Sequence, residues 1–301
     1  MLSGGGPEGL AFVGCLRHLE GAGMLGRLRT VVGCSAGALV GLMVVVGLES
    51  AEIAAWACRG IDDGALSDVD IDGVLPFLMM RRLGLDSGER VVESIRAALR
   101  SSPLPLLRGR DDATFLELAK ATGRDFVVGV TNLDTCKREL LSVDTTPNLS
   151  VVTAIRMSIS VPFLFTPVLY NGCMYADGAL LDFCPIDHIR HSGTATSSLV
   201  LKMNFGCVST DSVKRGEPPD LMTYIGLLAR AVLSSSIERP GMPADVTCVK
   251  VVEIPELNVG WALSMDTLSM TLGGGGATEE AVERFLRHGE VIMASALLST
   301  T

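Results

Sequence analysis

The stretch TVVGCSAGALVGLM, residues 30–43, changes character twice over a short distance, and these changes decide the fold. It begins with the β-branched residues 30–32, continues through the glycine-flanked residues 33–37, and ends in the helix-compatible residues 38–43. β-Branched residues favour a strand, closely spaced glycines favour a tight turn, and the apolar remainder favours a buried helix. The stretch therefore predicts a strand, a sharp turn and a core helix.

The same region could also be interpreted as a membrane-spanning helix. Residues 31–48 form an uncharged, mostly apolar run about as long as a bilayer is thick, and the mean hydropathy of the chain is +0.40. The run contains Gly33, Gly37, Gly41 and Gly47. A central strand that feeds a core helix explains these glycines as well as the hydrophobicity. We therefore expect no transmembrane segment.

Further along the chain, helical and extended patterns alternate. Helices are predicted at residues 10–20, 49–57, 89–100, 114–121 and 279–298, the last capped by Thr278, and strands at 29–32 and 125–131, with a hairpin turn at Asn171-Gly172. Alternating strands and helices predict an α/β fold with a mostly parallel central sheet covered by helices on both faces. No long linker interrupts the chain, so we expect one domain over residues 1–301.

Composition and charge exclude some classes of function. The chain has 301 residues, of which 48% are hydrophobic and 20% charged, and its net charge is −9. This balance lacks the basic surface of a nucleic-acid binder, so we expect no nucleic-acid partner. The eight cysteines include no C-x-x-C pair or metal-ligand spacing, and the first residues do not resemble a signal peptide. These features predict a cytoplasmic protein whose cysteines are reduced, small apolar side chains.

The serine of the pattern Gly33-x-Ser35-x-Gly37 is the candidate nucleophile. Between a strand and a helix, the flanking glycines allow the sharp turn that holds a serine hydroxyl clear of the sheet. The helix N-terminus then favours the negative charge that develops during attack. The alternative is that these small residues only allow the helix to pack closely against the strand.

A glycine-rich segment, residues 3–9, is the second candidate element. Consecutive glycines can turn several N–H groups toward one point, forming an oxyanion hole or a phosphate cradle. The spacing Gly4-x-Gly6-x-x-Gly9 also fits a dinucleotide fingerprint, which requires a preceding strand and an acidic residue at the end of the next strand. Only two residues precede this loop, and the next strand ends without a carboxylate, so the fingerprint is disfavoured. A plain turn remains an alternative.

A serine nucleophile needs a base, and no histidine has a convincing setting. His18 and His288 lie on predicted helices, while His188 and His191 lie in a polar segment. A partly desolvated aspartate can act instead. Asp177 directly follows the second hairpin strand, where a catalytic carboxylate could lie, although an Asp-Gly pair after a strand is more often a simple turn.

Together the motifs resemble the patatin-like phospholipase family. The matching segments are residues 3–9, 33–37, 154–165 and 177–179, in the family's order, with residues 84–88 and 131–133 as secondary landmarks. Each motif is weak alone, but four in register are specific. The sequence departs from the family's pattern at Glu8, where a basic residue is usual, and at Ser160, where a small apolar residue is usual.

The resemblance implies a patatin-like three-layer α/β/α fold and a lipid acyl hydrolase that acts through a Ser-Asp dyad. Ser35 would be the nucleophile, Asp177 the general base, and the N–H groups of Gly4, Gly5 and Gly6 the oxyanion hole. No metal or other cofactor is implied. The segment 154–165 is expected to support the site by packing, without a chemical role.

The resemblance also implies a partner, phospholipid or another acyl lipid at a membrane surface, with transient peripheral association. Residues 60–112 are a candidate lid or interfacial segment, because the apolar residues 75–80 precede seven arginines. A buried helix with a solvated arginine face is the alternative.

Two other functions stay open: acyl transfer through Ser35, and lipid binding or regulation with little catalysis. The need for a protein activator is also open.

Overall fold

The computed structural model describes residues 1–62, 83–186, 198–204, 246–252 and 277–298. The helices are α1 (Leu10–Gly21), α2 (Ala36–Val45), α3 (Ser50–Asp62), α4 (Glu89–Arg100), α5 (Phe115–Thr122), α6 (Val151–Ser158) and α7 (Ala277–Leu298). The strands are β1 (Thr30–Cys34), β2 (Gly84–Asp86), β3 (Asp125–Asn132), β4 (Lys137–Leu141), β5 (Phe163–Phe165), β6 (Val168–Tyr170), β7 (Cys173–Asp177), β8 (Ser198–Asn204) and β9 (Val246–Val252). Helices flank a mixed sheet in a three-layer α/β/α arrangement.

The central strand of the sheet is β3, which contacts three other strands. Its first half pairs in parallel with β1, and its second half pairs antiparallel with β7. Strand β4 pairs antiparallel with residues in both halves of β3. Strand β4 therefore lies along one edge of β3, and β1 and β7 both lie along the other edge. Strand β6 completes a hairpin with β7. The hairpin makes the sheet mixed, whereas the alternation of elements predicted a mostly parallel one.

Because β1 and β7 approach along one edge from opposite directions, their carboxyl ends meet. Cys34, the last residue of β1, pairs with Gly129, and Asp177, the last residue of β7, pairs with the next residue, Val130. The residue after β1 is Ser35. The register of two strands on a third therefore brings the predicted nucleophile and the predicted base together.

The start of the chain extends the sheet beyond β1. Leu2 forms parallel bridges with Gly33 of β1 and with Leu201 of β8, and β8 pairs in parallel with β9. The N–H of Leu2 donates to the carbonyl of Val32 at 2.8 Å, and the N–H of Ser3 donates to the carbonyl of Leu201 at 3.0 Å. These bonds hold the glycine-rich loop beside the end of β1.

The terminal helix packs directly on the first helix. A Cβ at Gly14 of α1 would lie 1.9 Å from the carbonyl oxygen of Leu286, and a Cβ at Gly289 would lie 2.0 Å from that of Ala11. The two backbones can approach this closely because neither glycine has a side chain. Arg17 adds ion pairs to Glu283 and Glu290.

The structure confirms most of the predicted elements. Strand β1 and helix α2 occupy the stretch that could be interpreted as a membrane span, and in the described part of the chain no helix is long and apolar enough to cross a bilayer. The hairpin turn has positive φ at Asn171 (48°) and Gly172 (80°), as a type I′ turn requires. Helix α7 begins at Ala277, so Thr278 lies inside the helix and the prediction that it caps the helix is wrong.

The cysteines only partly match the expectation of small buried side chains. Cys15 and Cys34 are buried, but Cys136 is exposed in a turn, and Cys173 is half-buried. All the cysteines whose side chains the structure describes are free thiols.

The predicted lid or interfacial segment is only partly described. Residues 75–80 lie outside the described residues. In the described remainder, three of the arginines form exposed ion pairs, Arg96 with Glu93, Arg100 with Glu93 and Asp111, and Arg110 with Glu117. These carboxylates offset part of the local positive charge, and the membrane role of the segment stays a prediction.

Candidate active site

Ser35 lies at the junction of β1 and α2, as the pattern of flanking glycines predicts. Its backbone has φ 52° and ψ −126°, a conformation rare for any residue except glycine. The carbonyl of Ser35 accepts the N–H of Ala38 at 2.9 Å, which begins α2. The side chain is 7% exposed, so the hydroxyl is held at the N-terminal end of a helix in a mostly dry environment.

Asp177 is the hydrogen-bond partner of that hydroxyl. The Oγ of Ser35 donates to Oδ2 of Asp177 at 2.6 Å, and Oδ1 of the same carboxylate accepts the N–H of Ala179 at 2.8 Å. The carboxylate is 2% exposed. This geometry is the one required for a carboxylate to accept the proton of a serine nucleophile.

Burial determines how strongly the Asp177 carboxyl binds a proton. Removal from water raises the pKa of the Asp177 carboxyl from 3.8 to about 7, and the hydrogen bonds from Ser35 and Ala179 only partly offset this shift. A carboxylate with this pKa is a much stronger base than an exposed aspartate and is still ionised in part at neutral pH. The neighbouring thiol of Cys34 is fully buried, and desolvation raises its pKa well above the usual value, so this thiol stays protonated.

Three further residues, Ser158, Ser160 and Thr131, hydrogen-bond to the backbones of Ser35 and Asp177. Of these, the two serines were expected only to pack, and Thr131 was a landmark without a role. The N–H of Ser35 donates to Oγ of Ser158 at 2.9 Å, and Ser158 donates to the carbonyl of Gly129 at 2.7 Å. The N–H of Asp177 donates to the carbonyl of Ser160 at 2.9 Å. The carbonyl of Asp177 accepts the hydroxyl of Thr131 at 2.9 Å. The segment 154–165 thus does more than pack, since it hydrogen-bonds to both members of the dyad.

A buried arginine stabilises that segment. The guanidinium of Arg156 donates to Oγ of Ser160 at 2.5 Å and to the carbonyls of Ser87 and Thr166, each at 2.8 Å. It also lies over the ring of Phe165 at 5.4 Å from the centroid. The hydroxyl at position 160, unusual for the family, therefore has a specific partner in Arg156.

The glycine-rich loop lies against the start of α2, directly after Ser35, but its three predicted donors differ. The N–H of Gly4 donates to the carbonyl of Phe183 at 3.0 Å and is already occupied. Within the described residues, no acceptor takes the N–H of Gly5 or Gly6. A Cβ at Gly37 would lie 2.3 Å from the carbonyl oxygen of Ser3, so this glycine allows the loop to approach the start of α2.

Among the described residues, the histidines and possible metal ligands do not form a second candidate site. His18 and His288 are on α1 and α7, and His188 and His191 lie outside the described residues. Over the part of the chain that can be described, no three His, Cys, Asp or Glu side chains are grouped as metal ligands. A groove of about 700 Å³ runs between α3 and α4 past Trp56, and no residue of the dyad lines it.

A family profile and two curated proteins match this sequence. Residues 1–189 match the sequence profile described as "Patatin-like phospholipase". The chain is 25% identical over 187 residues to a protein named "Probable lipid hydrolase 463L" of Invertebrate iridescent virus 6, covering 62% of this chain and 61% of that protein. It is 31% identical over 202 residues to the uncharacterized protein YqhO of Bacillus subtilis, covering 62% and 64%. The chain thus spans about three fifths of the length of these curated relatives.

Among solved structures, the crystal structure of VipD from Legionella pneumophila is similar with a TM-score of 0.53 and 17% sequence identity. The similarity covers 99% of this chain and 66% of that one. At this identity it shows a shared fold. Because the family profile covers more than half of the chain, the chain belongs to the patatin-like phospholipase family.

Proposed function

We propose that this protein is a lipid acyl hydrolase that cleaves fatty acyl esters with a Ser35–Asp177 dyad. The observation that carries the proposal is the 2.6 Å hydrogen bond from the Ser35 hydroxyl to a buried carboxylate with a pKa of about 7. The name of the viral relative, a probable lipid hydrolase, supports the same reaction class.

In the first half of the reaction, Oγ of Ser35 attacks the ester carbonyl carbon while its proton passes to Oδ2 of Asp177. The tetrahedral intermediate then collapses, and the bond between the carbonyl carbon and the alcohol oxygen breaks. The leaving alcohol, a lysophospholipid when the substrate is a phospholipid, takes the proton from Asp177. The fatty acyl group remains as an ester on Ser35.

The negative charge of the intermediate needs hydrogen-bond donors. In the described part of the chain, the N–H groups of Gly5 and Gly6 have no acceptor, whereas that of Gly4 donates to the carbonyl of Phe183. We assign the oxyanion hole to Gly5 and Gly6, and we assign Gly4 to holding the loop in place. Loss of one oxyanion donor typically slows an acyl transfer by about 10²–10³-fold.

In the second half, Asp177 takes a proton from a water molecule, and the resulting hydroxide attacks the acyl carbonyl. The fatty acid leaves, and the proton returns from Asp177 to Oγ of Ser35. The substrate class we propose is phospholipid or another acyl lipid at a membrane surface, with transient peripheral association of the protein.

Mixed phospholipid vesicles test the proposal. Wild-type protein, Ser35→Ala and Asp177→Asn are incubated with vesicles, and mass spectrometry measures free fatty acid and lysophospholipid. We expect release by wild type and losses of at least about 10³-fold in both variants, because each removes one member of the dyad.

Circular dichroism of the three proteins provides the folding control. Equal release by wild type and a folded Ser35→Ala would contradict the proposal. Vesicle binding without release by any of the three would instead favour a lipid-binding role. Transfer of the acyl group to an added alcohol in preference to water would favour an acyltransferase.

A further inference from the structure

The structure contains a second serine, Ser158, whose hydroxyl contacts the backbone of Ser35. It lies in the matching segment 154–165, for which only a packing role was expected. We propose that Ser158 is a positioning residue for Ser35, one that sets the rate of nucleophilic attack without touching the substrate. The inference rests on the proposed role of Ser35 as nucleophile.

The Ser158 hydroxyl accepts one hydrogen bond and donates another, each with a backbone group. Strand β1 ends at Cys34, so the N–H of Ser35 has no partner in the sheet. Oγ of Ser158 accepts this N–H at 2.9 Å and donates its own proton to the carbonyl of Gly129 at 2.7 Å. Ser158 thus links the backbone of Ser35 to β3. Strand β3 pairs both with β1, which ends just before Ser35, and with β7, which ends at Asp177.

The backbone of Ser35 needs such a link. Its positive φ of 52° is unfavourable for a residue with a Cβ, and such conformations persist only when surrounding contacts hold them. Ser158 is fully buried, with 0% exposure, so no water can replace its hydroxyl without rearrangement of the core. Without that hydroxyl, the N–H of Ser35 loses its partner, and the turn can relax away from the geometry that aims Oγ at the substrate.

The neighbouring residues connect Ser158 to the base as well. The carbonyl of Ser160, two residues later, accepts the N–H of Asp177. One short segment at the end of α6 therefore fixes the backbones of both Ser35 and Asp177. A shift of this segment changes the distance between Oγ and Oδ2, which is the distance on which proton transfer depends.

The chain offers a closely matched control in Ser102. Its hydroxyl is also 0% exposed, donates to the carbonyl of Val46 at 2.6 Å and accepts the N–H of Leu104 at 3.2 Å. Like Ser158, it donates to one backbone carbonyl and accepts one backbone N–H, but its partners are not members of the proposed dyad. Ser102→Ala and Ser158→Ala should therefore have comparable effects on folding, and a positioning role predicts different effects on reactivity.

The test measures the rate at which a fluorophosphonate probe labels Ser35, followed by intact-protein mass spectrometry. Phosphonylation forms a bond from Oγ of Ser35 to phosphorus, releases fluoride and passes the serine proton to Asp177, so it reports nucleophile reactivity without a lipid interface. We expect Ser158→Ala to label about 10- to 100-fold more slowly than wild type. Ser158→Cys should also be slow, since a thiol fills the space but is a weak hydrogen-bond acceptor.

Three comparisons decide the result, with each variant shown to be folded by circular dichroism at the assay temperature. Ser102→Ala should label at the wild-type rate and with the wild-type pH midpoint. In Ser158→Ala the pH midpoint should rise, because a weakened hydrogen bond from Ser35 lowers the pKa of Asp177 less. Labelling of Ser158→Ala at the wild-type rate, or equal slowing in Ser102→Ala, would overturn the positioning role. Wild type that labels no faster than Ser35→Ala would instead overturn the proposed function.

Discussion

At the scale of single residues, the proposed mechanism makes both activity and stability depend on the pKa of Asp177. Because burial raises the pKa of its carboxyl to about 7, the base is protonated and inactive in acid. We expect kcat/KM for ester hydrolysis to rise with pH and to level off above about 7, tenfold per pH unit on the acid side. A pH–rate profile with a soluble short-chain ester checks this, and a midpoint near 4 would show that burial does not raise the pKa of the catalytic carboxyl.

The same shift makes a prediction about stability. The folded state holds the Asp177 proton more tightly than the unfolded state, so the contribution of this group is fully present below pH 4 and is lost as pH rises toward 7. Asp177→Asn, which carries no charge, should therefore gain in unfolding free energy relative to wild type across this window, by up to about 1.4 kcal/mol per pH unit.

Urea unfolding of both proteins at pH 4, 5.5, 7 and 8 measures the difference. A stability difference that stays constant from pH 4 to pH 7 would show that the carboxyl titrates alike in the folded and unfolded states.

At the scale of elements, the junction of the glycine loop with α2 depends on the lack of a side chain at Gly37. An added Cβ would meet backbone oxygens, that of Ser3 at 2.3 Å and that of Leu2 at 2.4 Å, so the loop must move. We expect Gly37→Ala to lower kcat by about 10²-fold, because a displacement of about 1 Å at an active site costs that much.

Helix α1 provides the matched control. A Cβ at Gly21, another helical glycine, would meet no atom within 4 Å. Gly21→Ala should keep wild-type activity and gain up to about 1 kcal/mol from its better helix propensity. Steady-state kinetics and urea unfolding of both variants decide the matter, and equal activity of the two would contradict a requirement for close approach at Gly37.

Comparison of the predicted helices and strands with the observed ones shows what a sequence can predict. Ser35 and Asp177 were both identified because each stands in a local pattern, a glycine-flanked turn and the end of a hairpin strand. Ser158 and Thr131 lie in segments that match the family, but no hydrogen-bonding role was assigned to either. The pattern of a helix or a strand does not show which distant residue a hydroxyl contacts, and Ser158 lies 123 residues from Ser35. Local patterns likewise predicted β3 and β7 without their antiparallel pairing, which depends on contacts far apart in the chain.

At the scale of the whole molecule, the packing of α7 on α1 ties residues beyond the family match to the start of the chain. The Cβ of an alanine at position 289 would lie 2.0 Å from the carbonyl oxygen of Ala11 and 2.9 Å from the backbone nitrogen of Cys15. We expect Gly289→Ala to destabilise the fold by about 1–3 kcal/mol, as overpacking does. Urea unfolding checks this, and unchanged stability would show that α7 is not firmly packed on α1.

The central claim is that Ser35 carries the acyl group during turnover. Wild-type protein is mixed with phospholipid vesicles, quenched in acid within one turnover and digested, and peptide mass spectrometry locates the fatty acyl ester. We expect the ester on Ser35 and no ester in Ser35→Ala. An ester on another residue, or fatty acid release at the wild-type rate by Ser35→Ala, would contradict the account.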